Sequence, residues 1–145
     1  KLDFKKIHPA GSLGAQLKTV EDIMLTGDKI PFVRENVNMN DAFKTLTKKK
    51  LGILVVRNKQ KKTIGIITDG QIRRFNQKKI ELKFLKVSQV MTKNPISIDK
   101  NSLAAKALSI MNNKKITSLC VFDSKNKNKT IGVLHIHNLL NSSIA

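Results

Sequence analysis

The chain repeats itself at an offset of 67 residues, and that repetition limits its fold more than any other feature. Thr63-Ile-Gly-Ile-Ile-Thr-Asp-Gly-Gln-Ile-Arg-Arg74 is echoed by Thr130-Ile-Gly-Val-Leu-His-Ile-His-Asn-Leu-Leu140. Each copy starts with a Thr-Ile-Gly step, runs through a short apolar strand and meets a polar cluster where a helix should begin. Polar side chains and free backbone N–H groups at a helix start suit an anion or a ribose. Val20-Glu-Asp-Ile-Met24 and Val87-Ser-Gln-Val-Met91 open the two copies at the same offset, and Pro31 and Pro95 lead into extended pieces, Phe32-Val33 and Ile96-Ser-Ile98.

Within each copy the pattern predicts one amphipathic helix and then two strands. Met39, Ala42, Phe43 and Leu46 recur at helical spacing in the first copy, and Leu103, Ala104, Ala107, Leu108 and Met111 in the second. Asn38 or Asn40 is the expected cap of the first helix, and Ser102 of the second. Strands Ile53–Arg57 and Ser118–Asp123 are rich in Val, Leu and Ile and barely alternate, which predicts burial on both faces. Polar loops 58–62 and 124–129 suit hairpins into the third strands, Ile64–Thr68 and Ile131–His135. Closing helices are expected near Asp69, as N-cap, and near His137. Each copy therefore reads β-α-β-β-α. One copy of about sixty residues is too small to bury its sheet alone, so the two should pack face to face.

Composition narrows the function classes. The 145 residues carry 28 Lys and Arg against 10 Asp and Glu, a net charge of +18. Such a balance invites nucleic acid or an anionic membrane. Against it, only four basic residues are Arg, and Lys travels with abundant Asn and Ile, as an AT-rich coding sequence produces. Lys48–Lys50 and Lys114–Lys115 fall at matching helix C-termini, where cations suit the dipole. The charge therefore reads as solvated surface, with no nucleic-acid and no membrane partner. A single cysteine, Cys120, excludes an internal disulfide and fits a reducing, cytoplasmic compartment. His135, His137 and Cys120 are too few for a closed zinc site, so no metal is expected. No Walker loop, Gly-x-Gly-x-x-Gly, His-Glu-x-x-His or nucleophile elbow occurs. Lys1 is not a start methionine, and residues 1–18 read as the end of something else.

Two βαββα units with Val-x-x-Ile/Val-Met openings and a Gly-apolar-apolar-Thr third strand resemble a tandem pair of cystathionine-β-synthase (CBS) domains. Adding His8-Pro-Ala-Gly-Ser-Leu-Gly14, Thr26-Gly-Asp-Lys-Ile-Pro31 and Ile67-Thr-Asp-Gly70 gives an order similar to D-arabinose-5-phosphate isomerases. The resemblance implies an α/β (α+β) fold, a tandem CBS pair of two βαββα repeats packed with pseudo-two-fold symmetry. It implies residues 1–18 as tail and linker of an upstream sugar isomerase (SIS) domain, 19–79 as the first CBS domain and 83–145 as the second. His8 matches the family's catalytic His-Pro-Gly-Gly motif, with Ala10 as a departure, and the rest of the catalytic site would lie upstream. The parent would interconvert D-ribulose 5-phosphate and D-arabinose 5-phosphate on the way to the Kdo sugar of lipopolysaccharide, and the fragment alone would be inert.

The same resemblance implies a ligand crevice in each repeat. The positions implied are Gly52, Ile53, Thr68, Gln71 and Arg73 in the first, and Thr117, His135 and Asn138 in the second. The fragment carries no cofactor of its own; the implied ligand is an adenine nucleotide or a CMP-sugar. The acidic position of the family's Thr-x-x-Asp pattern is Gln71 here and Asn138 in the second copy. An amide replaces a carboxylate poorly as a clamp on ribose hydroxyls. Arg73 and Arg74 could meet a phosphate or lie on the exposed face of their helix. Partners implied are the upstream SIS domain, a small nucleotide or nucleotide-sugar, and a second copy, as a dimer of the fragment or a tetramer of the parent. Three rivals stand beside the isomerase reading: a free-standing nucleotide sensor, a purely structural oligomerisation module and a polyanion binder.

Overall fold

A computed structural model of the protein describes residues 17–142; His8 lies outside them. The chain forms two compact units, one of residues 27–96, the other joining 17–26 to 97–142. The repeats at 19–79 and 83–145 are units of sequence; the units of packing are cut elsewhere, because each repeat's opening packs with the body of the other repeat.

In the unit 27–96, β1 (Phe32–Arg34) pairs parallel with β2 (Ile53–Arg57), with helix α2 (Met39–Lys49) between them in the chain. β2 pairs antiparallel with β3 (Thr63–Thr68), and α3 (Asp69–Gln77) closes the first repeat. The sheet then takes a fourth strand from the second repeat. β4 (Thr92–Lys93) pairs antiparallel with β3, Ile66 opposite Thr92, after a short helix α4 (Val87–Val90). Four residues cannot hold a helix in water alone, so α4 depends on docking. Val87 and Val90 supply that docking: both are buried among Met39, Leu54, Val56 and Ile67. Each buried valine contributes about 1.5–3 kcal/mol.

The other unit repeats this plan with the roles exchanged. β5 (Ser97–Asp99) runs parallel to β6 (Ser118–Phe122), and β6 antiparallel to β7 (Gly132–His135). Helix α5 (Ala104–Lys114) lies between β5 and β6 in the chain, and α6 (Ile136–Asn141) follows β7. The opening helix α1 (Val20–Ile23) joins this unit, with Val20 fully buried among Ala107, Leu119 and Leu134. Leu25 then bridges Val133 antiparallel, at the offset of 67 from the Thr92–Ile66 pair. Lys100 ties the same opening down, reaching Glu21 at 3.3 Å and Asp123 at 3.4 Å.

The glycines of the two Thr-Ile-Gly steps make room for the exchanged openings. A Cβ on Gly65 would lie 2.8 Å from both Met91 Sδ and the Thr92 carbonyl oxygen. A Cβ on Gly132 would meet Met24 Sδ and come within 3.1 Å of the Leu25 carbonyl oxygen. The recurring Met and the recurring Gly are therefore one packing device, with each Met lying on the strand of the other repeat.

Several local expectations hold. Residues 53–56 of β2 and 119–121 of β6 are all buried. Asn38 caps α2, its side chain accepting from Asp41 N at 2.9 Å. Lys50 and Lys115 end α2 and α5 in the left-handed conformation. Two capping expectations need correction. Ser102 does not cap α5: the N-cap is Leu103, and Ala104 N donates to the Lys18 carbonyl at 2.8 Å. The exchanged opening thus does the work of a cap. Asp69 is the first residue of α3; its cap is Thr68, whose hydroxyl accepts from Gln71 N at 3.2 Å. The last helix starts beside His137 as expected, at Ile136, with His135 as its cap.

Candidate functional site

In the unit 27–96 the predicted positions Gly52, Ile53, Thr68 and Gln71 gather where β2 begins, β3 ends and α3 starts. Ile53 is the Cα partner of Thr68 across the sheet. Gly52 has φ +68 and its carbonyl accepts from Asp69 N at 3.0 Å. A Cβ there would lie 2.8 Å from Asp69 Oδ2, so close approach and a left-handed backbone both select glycine. The chain thus sets a carboxylate, a hydroxyl and the first turn of a nine-residue helix around one small cluster.

Gln71 is the buried member, at 8% exposure. Its Nε2 donates to the Val90 carbonyl, the last residue of α4. The amide at the family's acidic position therefore spends its donor on the exchanged opening, a bond no carboxylate could make. The sequence could not show this, because Val90 lies nineteen residues away in the other repeat.

Arg73 and Arg74 are both exposed, and only one turns towards the cluster. Arg74 Nη1 lies 3.6 Å from where a Gly70 Cβ would be, so its guanidinium folds back over the first turn of α3. Arg73, two positions after Gln71, sits roughly 200° round the helix from it. Of the two arginines weighed from the sequence, Arg74 is thus the one at the cluster, and Asp69, read there only as a cap, joins it. The i, i+4 spacing of Gly70 and Arg74 was the available signal.

The second cluster is built differently. Thr117 stands where Gly52 does, and its carbonyl accepts from Ile136 N at 2.9 Å. Asn138 Oδ1 accepts from His135 N at 3.2 Å, so this amide uses its oxygen where Gln71 uses its nitrogen. His135 Nδ1 accepts from His137 N at 3.2 Å, and the two rings stack with centroids 4.9 Å apart. Ser118 Oγ is buried with no hydrogen-bond partner. Ile136, Leu140 and Asn141 occupy the places of Asp69, Arg73 and Arg74, so the charged groups belong to the first cluster only.

Burial, and then the positive potential of His137, hold the His135 imidazole below its ordinary value of 6.5. The fold therefore favours the neutral ring, whose Nδ1 can accept, while the unfolded chain takes up a proton at higher pH. The stability from this cap is complete above the ordinary imidazole value and lost as pH falls through the lowered one. Urea midpoints of the protein should drop on acidification through that window. His135→Asn keeps an oxygen acceptor for the cap and should flatten that part of the curve; parallel curves would remove the assignment.

Among the described residues no group of three or more His, Cys, Asp or Glu converges as a metal site. Cys120 is 2% exposed. Burial pushes its thiol up to about 11, the hydrogen bond with the Thr130 side chain acting the other way. A thiol reagent at mildly alkaline pH should label Cys120 at the rate of unfolding; labelling that outruns unfolding would show an open route to β6.

Comparison with known proteins places this geometry. The CBS domain model matches residues 20–78 and 87–144. An uncharacterized protein of Rickettsia prowazekii (strain Madrid E) is 41% identical over 143 residues, covering 99% of this chain and 43% of its own. The arabinose 5-phosphate isomerase KdsD of Escherichia coli (strain K12) is 38% identical over 143 residues, covering 98% of this chain and 43% of its own. The chain thus spans less than half the length of these relatives. Among solved structures, CBSX2 of Arabidopsis thaliana, crystallised with AMP, superposes with a TM-score of 0.75 at 24% identity, covering 88% of this chain and 96% of its own. The CBS domain pair of protein MJ0100, crystallised with 5′-methylthioadenosine and S-adenosyl-L-methionine, gives 0.75 at 19%, covering 86% and 94%. With the model matching twice, and matching most of the chain, this protein belongs to the CBS domain family and carries the domain as a tandem pair.

Proposed function

We propose that this CBS pair is the regulatory module of an arabinose-5-phosphate isomerase and that it binds an adenine nucleotide or a CMP-sugar at the first cluster. The single observation that carries a ligand there is the joint placement of Asp69, Thr68, Gly52 and Arg74 at one helix start. A ribose hydroxyl can donate to the Asp69 carboxylate, and a phosphate can take the Arg74 guanidinium with the backbone of the first turn. Thr68, Gly52 and Ile53 supply the polar edge and the apolar floor. The second cluster, without Asp69 and Arg74 equivalents, takes the weaker role, with Thr117, His135 and Asn138 as its polar groups. The relatives' names support the parent activity, interconversion of D-ribulose 5-phosphate and D-arabinose 5-phosphate. Catalysis then belongs to the portion of the relatives beyond the matched 43%, with His8 its outlying member, and the chain by itself should not isomerise sugar phosphates.

A second copy is the proposed protein partner. The α5 and α6 surface shows Leu103 at 46% and Leu140 at 45% exposure. That unit also carries eight basic against four acidic residues in 17–26 and 97–142, where 27–96 has seventeen against five, so like-charge repulsion is smaller there. No helix among the described residues is long and apolar enough to cross a membrane; a cytoplasmic location is proposed. Calorimetry of the chain with AMP, ATP and a CMP-sugar tests the ligand. Binding of one, weakened by Arg74→Ala more than by Arg73→Ala, supports the reading; silence for all three at millimolar concentration would leave the oligomerisation role alone.

A further inference from the structure

We infer that the connector after α3 is a docking surface for an acidic peptide segment that carries an apolar side chain. The connector is held rigid. Ile80 N donates to the Phe75 carbonyl at 3.2 Å, Leu85 N to Leu82 at 2.8 Å, and Met39 N to Leu85 at 2.8 Å. Leu82 is buried as its anchor. On this fixed backbone Phe84 stands 76% exposed and Ile80 39%. Beside them a groove of about 520 Å³ is lined by Phe43, Asn76, Lys79, Ile80, Glu81, Leu82 and Lys83. An ordered surface that shows a phenylalanine close to a groove of mixed lining, with Phe43, Ile80 and Leu82 among charged and polar groups, is the pattern of an interaction site.

Charge chooses the occupant. Lys79 and Lys83 line the groove with Glu81 as its one acid, and Lys78 and Lys86 lie close by in sequence, inside the unit that holds most of the chain's positive charge. The Lys83 ammonium sits 5.1 Å from the Phe84 ring centre, so cation and apolar surface are presented together. A second copy would bring the same lysines against these and be repelled. A flat lipid surface would use Phe84 and leave the concave groove unfilled. An acidic segment satisfies both features, its carboxylates on the lysines and its apolar side chain in the groove against Phe43 and Leu82.

The test titrates the 145-residue chain with a labelled peptide of Asp and Glu interrupted by Leu and Phe. The same peptide with Ser for its apolar residues is run beside it, as are mixed phosphatidylcholine–phosphatidylglycerol vesicles. The expected result is binding of the first peptide alone, weakened by added salt, with amide shifts confined to Phe43 and residues 76–86. Phe84→Ser and the pair Lys79→Glu, Lys83→Glu should each weaken it by about tenfold or more, while Phe84→Leu keeps most of it. Phe84 is exposed enough that an unchanged urea midpoint certifies each variant. Equal binding of the Ser peptide, preference for vesicles, loss of a dimer on Phe84→Ser, or no binding by any probe would each overturn the inference.

Discussion

Gly65→Ala should destabilise the unit 27–96 by about 3 kcal/mol, at the upper end for adding one methyl group to a packed interior. The added Cβ would fall 2.8 Å from Met91 Sδ and 2.8 Å from the Thr92 carbonyl oxygen. A thioether can swing aside on its flexible side chain, but a carbonyl held in the β3–β4 ladder cannot move without dragging β4 off the sheet. Met91→Ala should therefore restore only the sulfur's share of the loss in the double variant. Gly132→Ala should behave likewise in the other unit, where the Leu25 carbonyl takes the place of Thr92. Urea unfolding measures the loss, and amide exchange locates it: residues 87–93 should lose protection before β2 does. A loss below about 0.5 kcal/mol, the scale of an ordinary surface change, would mean the openings are not clamped by this contact.

Gln71→Glu should cost about 2–4 kcal/mol, although it restores the kind of residue the family's ligand motif carries. The side chain is buried, and its Nε2 donates to the Val90 carbonyl. A carboxylate there would be charged, desolvated and pointed at another acceptor. Lowering the pH should recover much of the loss, because the neutral acid can donate. Gln71→Leu, which leaves only the carbonyl unpaired, should cost less, about 1–2 kcal/mol. Asn138→Asp is the control. Asn138 uses its oxygen as acceptor from His135 N at 3.2 Å, a bond a carboxylate makes as well, and a helix start favours the negative charge. Its urea midpoint should hardly move. Equal losses at 71 and 138 would show that the two amides are not doing opposite jobs.

These two results would separate what the motifs do for the fold from what they could do for a ligand. One N–H of the amide at 71 is committed to the exchanged opening, so on the proposed reading a ligand in the first cluster would be held chiefly by Asp69, Thr68 and Arg74. Val90 is followed directly by Met91 and Thr92, so the helix that carries the cluster and the start of the second repeat share one contact.

Much of this architecture was legible along the chain. Apolar runs without alternation announced that β2 and β6 would be buried on both faces, and helical spacing placed α2 and α5. The offset of 67 foretold that whatever one copy did the other would do in matching register, as Ile66–Thr92 and Leu25–Val133 show. Those properties are local: they follow from the periodicity of side chains on a strand or a helix, which a sequence records directly. Which opening serves which sheet is not local. The two Val-x-x-x-Met segments are nearly alike, and an apolar pattern states that a residue must be buried without naming what buries it. Only the folded chain decided that Met24 would lie on Gly132 and Met91 on Gly65, that the Lys18 backbone would replace the cap expected from Ser102, and that Gln71 would face Val90. Each is a contact between positions far apart in sequence, chosen by where the chain had room.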